Sequence, residues 1–335
     1  MGEATIKDIA KASGVSISTV SRVINGNYPV SREARERVEE AMQRLDYRPN
    51  AIARSLRNQK TNLVALVVAD LSNPFFMEIA KGLEEEMASI GCQLVIASSG
   101  GSVQKERELL NTLIEKRIDG LVIASSDNEG EHIKTCIEAG MPVVLVDRSI
   151  EGVRTSQILW DDEKYSYQLT KLFIDNGHKD IGIVNVTLTN PNGMWRFEGF
   201  RRALKEARIP EQPEFISSSN FSSDEACSFV TRMMSGKNRP TAIFCANNIM
   251  LQGTLQALRN LGIRLYDDVS VAVFGNPECN RYISPMVTAA RQDTLKMGQM
   301  AGELLKNLIS KTENREKTLI LKSEILMGGS IKKIG

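Results

Sequence analysis

Residues 5 to 25 read Thr5-Ile6-Lys7-Asp8-Ile9-Ala10-Lys11-Ala12-Ser13-Gly14-Val15-Ser16-Ile17-Ser18-Thr19-Val20-Ser21-Arg22-Val23-Ile24-Asn25. The spacing predicts a short helix over 6–12, a tight turn at Ser13-Gly14-Val15 and a second helix over 16–24 that opens on hydroxyl residues able to cap it. Small Ala10 lets the two helices approach, Gly14 can take the positive φ that ends the first, and Ile9, Val15, Val20 and Val23 supply a common apolar face. A third helix is expected after Ser31, with Glu33 in its first turn and Ala34, Val38, Ala41, Met42 and Leu45 at helical spacing.

A generic helical hairpin would carry the same apolar pattern, but the polar face favours a helix-turn-helix. On the second helix Ile17, Ser18 and Arg22 are placed to reach base edges, while Thr5, Ser16, Thr19, Ser21 and Asn25 offer hydroxyls and an amide to phosphates. Arg22 can bond both acceptors of a guanine. Residues 1–60 hold 11 Lys and Arg against 7 Asp and Glu, whereas the remainder holds 31 against 34, so the formal charge of +1 hides a basic N-terminal end suited to a polyanion.

At 335 residues the chain is long enough for several domains. Its opening residues have no basic region followed by an apolar run, and no segment approaches the roughly 20 apolar residues of a membrane span, so a cytoplasmic protein is expected. Five scattered cysteines and two histidines, His132 and His178, give no metal spacing, no redox Cys-x-x-Cys and no material for a nucleophilic triad. No glycine-rich nucleotide motif occurs. Neither a metal nor a cofactor is expected, and catalysis is disfavoured.

From residue 63 onward, apolar runs at 63–69, 94–97, 120–124 and 143–146 alternate with amphipathic stretches, and a second series follows at 181–184, 242–245 and 271–274. Two α/β lobes with parallel sheets are implied. Ligands of such sheets bind beyond the carboxyl ends of the strands. The residues found there are Asn73-Pro74-Phe75-Phe76, Asp147-Arg148, Trp160-Asp161-Asp162, Asn190-Pro191-Asn192, Asn247-Asn248 and Gly275-Asn276, whose aromatic faces, amides and charges suit a polyhydroxylated ring. The adjacent carboxylates Asp161 and Asp162 are expected to point apart and to be solvated or capping.

Thr5 to Ala10, Gly14-Val15-Ser16, Thr19 to Val23 and Tyr47-Arg48-Pro49-Asn50-Ala51-Ile52-Ala53-Arg54-Ser55-Leu56 resemble the lactose repressor (LacI) family, and the likeness continues through nearly the whole chain. The resemblance implies a helix-turn-helix headpiece at 1–48 and a hinge at 49–60. It gives a first sensor lobe made of 61–160 and 292–321 and a second made of 161–291 and 322–335, with crossings near Trp160-Asp161, Arg291-Gln292-Asp293 and Leu321-Lys322. The hinge would form a helix on DNA, with Asn50, Ala53, Arg54 and Arg57 near the operator and Leu56 wedged between base steps. The implied partners are double-stranded DNA with a near-palindromic operator, a carbohydrate-derived effector and a second copy of the chain. Residues 327–335 lack the leucine heptads of a tetramerising coiled coil. The effector contacts implied are Phe75, Phe76, Asp147, Arg148, Asp161, Asn192, Arg196, Phe221, Asn247 and Asn276.

Two departures bear on the effector. Gly275-Asn276 stands where the family usually has Asp-Asp, and Asn247-Asn248 where it commonly has Asn-Asp. Fewer carboxylates beside Arg148 and Arg196 lead us to expect an acidic effector, a sugar acid or sugar phosphate. Neutralisation of the arginines by Asp147 and Asp161 would instead suit a neutral sugar or nucleoside. A solute-binding protein without a regulatory role and a cytosolic sugar enzyme are the readings from other classes.

Overall fold

The computed structural model describes residues 4–25, 29–47, 60–219, 222–312 and 315–334. The chain divides into two compact units between Thr61 and Asn62.

In the first unit, α1 (Ile6–Ser13), α2 (Ile17–Asn25) and α3 (Arg32–Arg44) follow the apolar spacing. Thr5 and Asp8 form a reciprocal capping box on α1, and Gly14 closes that helix at φ 66°. Ser16 opens α2 by accepting from Thr19 N at 3.1 Å, and Ser31 does the same for α3 from Ala34 N at 3.3 Å. Ile9, Val20, Val23, Val38 and Ala41 form the buried centre. Three short helices with one common core explain why none of them needs to be stable alone.

The second unit contains two six-stranded sheets. The first is built from β1 (Leu63–Val68), β2 (Gln93–Ser98), β3 (Gly120–Ile123), β4 (Val143–Val146), β5 (Ser156–Trp160) and the late strand β11 (Thr318–Leu321), in the order β11-β5-β4-β3-β1-β2, all parallel. The second contains β6 (Ile181–Val186), β7 (Ile216–Ser219), β8 (Ala242–Cys245), β9 (Ser270–Phe274), β10 (Thr288–Arg291) and β12 (Glu324–Leu326), in the order β12-β10-β9-β8-β6-β7, with only β12 antiparallel. The crossover helices are α4 (Pro74–Ala88), α5 (Val103–Glu115), α6 (Glu131–Glu138), α7 (Asp162–Asp175), α8 (Pro191–Glu206), α9 (Ser223–Ser235), α10 (Asn248–Asn260) and α11 (Thr294–Ile309). Because helices cover the sheets, β3, β4, β6, β8 and β9 are buried along their whole length and read as continuous apolar runs.

The chain passes from the first sheet to the second after β5, returns after β10 and passes over again between β11 and β12. The return is secured by α11 lying directly on α4. A Cβ at Gly298 would sit 2.1 Å from the carbonyl oxygen of Ile79, and one at Gly82 would sit 2.2 Å from that of Leu295. The two helix backbones therefore touch, and a methyl group has nowhere to go. Gly298→Ala should lower the unfolding free energy by about 1–3 kcal/mol, read from a denaturant titration; an unchanged midpoint would mean that the two helices separate without cost.

Candidate functional site

Strand ends of the two sheets face one cavity of about 700 Å³ between the lobes. From the first lobe come the Ala69–Phe76 segment, Ser126, Asn128, Asp147 and Arg148; from the second come the 187–192 loop, Arg196, Asn247, Asn248, Phe274 and Gly275; Gln292 comes from the crossover after β10.

Local structure explains how each group is presented. After β4 the chain makes a tight turn in which Arg148 N donates to Val146 O at 2.9 Å, and Asp147 is held at φ 71°, outside the comfortable range for a side-chain-bearing residue. Two consecutive charges are thereby placed on one wall. Asn190 caps α8 through its side-chain oxygen and Asn247 caps α10 by accepting from Met250 N at 2.8 Å. The Asn247 amide nitrogen is left buried without a partner among the described residues.

Arg196, on the second turn of α8, is buried. Its Nε donates to Asp162 Oδ1 at 2.7 Å, its Nη1 donates to Ala246 O at 2.7 Å, and its guanidinium lies 4.2 Å from the centre of the Phe274 ring. Burial pushes the Asp162 carboxyl up to about 6, with Arg196 opposing the rise. Arg148 is less well matched: its Nε lies 4.0 Å from Asp147 Oδ2 and has no hydrogen-bond partner among the described residues. Burial raises Asp147 above the ordinary carboxylate value, against the pull of Arg148 and Arg196. Burial likewise lowers Arg148, opposed by Asp147 and then Glu106. Glu106 is itself buried and accepts from Ser125 Oγ and from Ser126 N, the latter at 2.6 Å.

Four polar atoms of cavity-lining residues have no partner among the described residues: Arg148 Nε, Asn247 Nδ2 and Gln292 Nε2, which donate, and Asn248 Oδ1, which accepts. Between the lobes, Asn128 Nδ2 donates to Thr189 O at 2.8 Å across the lining of the same cavity.

Of the effector contacts expected from sequence, Phe75, Phe76, Asp147, Arg148, Asn192, Arg196 and Asn247 line this cavity. Asp161 does not. Its carboxylate caps α7 by accepting from Lys164 N at 3.4 Å, and Asp162, expected to be solvated or capping, is instead buried and meets Arg196. Asn276 is also displaced from the expected place: its side chain accepts from Gln292 N at 2.9 Å and donates to Gln292 O at 2.8 Å, clasping the crossover. Gln292, expected at a lobe crossing, was not expected in the cavity, because β10, Thr-Ala-Ala-Arg, has no branched apolar residues to mark it as a strand. Phe221 lies outside the described residues.

In the first unit Thr5, Ser16, Ile17, Ser18 and Arg22 are exposed and Thr19 and Ser21 half-buried. The Thr5 hydroxyl bonds the Asp8 carboxylate at 2.7 Å and the Ser16 hydroxyl contacts those of Ser18 and Thr19, so these groups also serve the helix ends. The side chain of Asn25, and the hinge residues Asn50, Ala53, Arg54, Leu56 and Arg57, lie outside the described residues.

A helix-turn-helix unit followed by a two-lobed binding fold defines a ligand-controlled DNA-binding regulator. Residues 5–50 match the model of bacterial regulatory proteins of the lacI family, and residues 64–313 match a periplasmic binding protein domain. The chain is 35% identical to the HTH-type transcriptional repressor PurR of Vibrio parahaemolyticus, over 99% of each protein, and 34% identical to the ribose operon repressor of Haemophilus influenzae, over 98% of each. Among solved structures it resembles a transcriptional regulator CelR–cellobiose complex (TM-score 0.74, 27% identity, 98% of this chain and 99% of that one). It shares its fold with the lac repressor dimer bound to operator and the anti-inducer ONPF (TM-score 0.86, 23% identity, 99% and 100%). The chain belongs to the lacI family. It is an effector-controlled, DNA-binding transcriptional repressor of a non-enzymatic, cytoplasmic family, and no helix among the described residues is long and apolar enough to cross a membrane.

Arg196 and Asp162 can be tested directly. Arg196→Met strands a buried carboxylate and should cost about 3–5 kcal/mol of stability. The elevated Asp162 carboxyl makes the folded state hold a proton that the unfolded chain releases near its ordinary value of 3.8. Wild-type stability relative to Asp162→Asn should therefore be highest below pH 4 and fall as the pH rises to about 6, staying level above it. A difference that rose with pH in this window would contradict the assignment.

Proposed function

We propose that this repressor binds a near-palindromic operator as a dimer, and that a neutral, polyhydroxylated sugar or sugar derivative in the interlobe cavity sets its operator affinity. The observation that carries the effector reading is the polar, uncharged part of the lining: the amides of Asn73, Asn128 and Asn192 and the hydroxyls of Ser126, Thr187 and Thr189. Hydroxyl and ring oxygens satisfy such a set, and Phe75 and Phe76, 5.2 Å apart and edge to face, offer an apolar wall. The ribose operon repressor among the relatives and the cellobiose in the CelR complex agree with a sugar.

An acidic sugar, the expectation drawn from the two arginines, has less support. Three buried carboxylates, Asp147, Asp162 and Glu106, already accompany Arg148 and Arg196. A further negative charge fits only with uptake of a proton, for which Asp147 and Asp162 are the available groups.

The working division is a headpiece at 1–48, a hinge at 49–60, and lobes at 61–160 with 292–321 and at 161–291 with 322–335. Thr5, Ser16, Thr19, Ser21 and Asn25 position the headpiece on phosphates, Ile17, Ser18 and Arg22 read bases, and the hinge contributes Asn50, Ala53, Arg54, Arg57 and the Leu56 wedge. Val95 and Ile96, apolar and exposed on edge strand β2, support a face covered by a second copy.

A thermal-shift screen of the full chain against matched neutral sugars, sugar acids, sugar phosphates and nucleosides tests the effector. Stabilisation by neutral sugars is expected; stabilisation by acids alone would overturn the charge argument. For the headpiece, Arg22→Ala should weaken binding to the best operator by about 1–3 kcal/mol and flatten base preference at one half-site position, measured by titrating a library of operator variants.

A further inference from the structure

The effector cavity does not end at Asn248. A second compartment of about 460 Å³ adjoins it, and the two share Asp70, Asn73, Asn248 and Ile249 as walls. The first lobe contributes the turn from Asp70 to Pro74, and the second contributes Gln252 on α10 and the segment Asn276 to Cys279.

The two departures from the family pattern, Gly275 in the lining of the inner cavity and Asn248 in the shared wall, form one steric unit. Gly275 has φ 141°, a conformation side-chain-bearing residues avoid, and a Cβ there would lie 2.6 Å from Asn248 Oδ1. Asn248 therefore leans over a bare α-carbon, in the space that a side chain at 275 would claim, and its Oδ1 is left buried without a partner among the described residues.

We propose that the effector has two parts: a polyhydroxylated ring in the inner cavity, and a second, neutral hydroxylated ring, joined as in a disaccharide, in the outer compartment. The outer walls decide the character of that second ring. Among the described residues they contain the carboxylates of Asp70 and Glu278 and no lysine, arginine or histidine, so a phosphate or carboxylate there would meet like charge. Asp70 is already engaged by Ser72, whose N and Oγ both donate to it at 2.8 Å. The side chains of Glu278 and Gln252 make no hydrogen bond or ion pair among the described residues and are open to ligand hydroxyls. The second ring also lies against Asn276, which clasps the main chain of Gln292, so it touches the crossover between the lobes.

This inference rests on the inner cavity being a sugar site, and titration of the full chain separates the two claims. The probes are one-ring and two-ring partners, glucose with cellobiose and with maltose, and galactose with lactose. At least one two-ring sugar should bind about tenfold or more tightly than its one-ring parent, as two added hydrogen bonds allow. Cys279→Trp, which fills the outer compartment, should bring that ratio close to one. Gln252→Trp, at an exposed position on α10, serves the same purpose if the first variant fails to fold, with operator binding as the check on folding. One-ring sugars binding as tightly as every two-ring partner would overturn the outer compartment and leave the sugar reading standing. A two-ring preference that survives both tryptophan variants would overturn it as well. No binding in any pair would defeat the sugar reading and this inference together.

Discussion

A guanidinium taken into a closed cleft has to be neutralised and hydrogen-bonded before anything else in that cleft can be arranged. Arg196 meets that demand with three elements at once: Asp162 at the start of α7, the carbonyl of Ala246 at the end of β8 and the ring of Phe274 at the end of β9. The positions of α8, β8 and β9 in the second lobe are tied to that one side chain. With Ala246 held, Asn247 can cap α10 through its oxygen. With Phe274 held, the chain can leave β9 through Gly275, the opening that Asn248 leans across.

On the facing wall the solution is different. Arg148 has Asp147 at 4.0 Å, a separation too long for a hydrogen bond, and the pair is carried on a turn that keeps Asp147 at positive φ. Strain and unmet donors persist together only where the surrounding structure enforces them. Here the enforcement comes from β4 and β5, since Asp147 N donates to Ile158 O at 3.0 Å and Arg148 N to Val146 O. One arginine is thus fully matched by the scaffold, and the other keeps a buried Nε without a partner among the described residues.

Much of this was legible in the sequence because it rests on periodicity. The three helices of the first unit and the buried strands of both sheets carry spacing that only one kind of element satisfies, and seven of the ten expected effector positions line the cavity because strand ends must face it. Errors arose where side-chain direction, rather than position, decided the role. Asp161 and Asp162 are neighbours, and only the rotation at the start of α7 sends one to the helix cap and the other to Arg196. Asn276 follows a strand end as expected, yet its amide matches the main chain of Gln292 in both donor and acceptor and turns to it. Gln292 itself follows a strand of small residues that no hydrophobic pattern would mark.

The crossings between lobes give the cavity its regulatory character. Gln292 lies on one of them, lines the cavity and has its backbone clasped by Asn276, so a ligand there touches the segment by which the lobes are joined. Asn128 and Thr189, which bond one lobe to the other, line the same space. An exposed hydrogen bond of this kind is worth only about 0.5–1.5 kcal/mol, enough to bias two lobe arrangements without locking either. A ligand that spans both lobes adds its own contacts to one arrangement and not to the other, and the equilibrium moves by that difference alone. Where an effector controls binding to DNA, linkage requires that each change the affinity of the other by the same factor, whichever the direction.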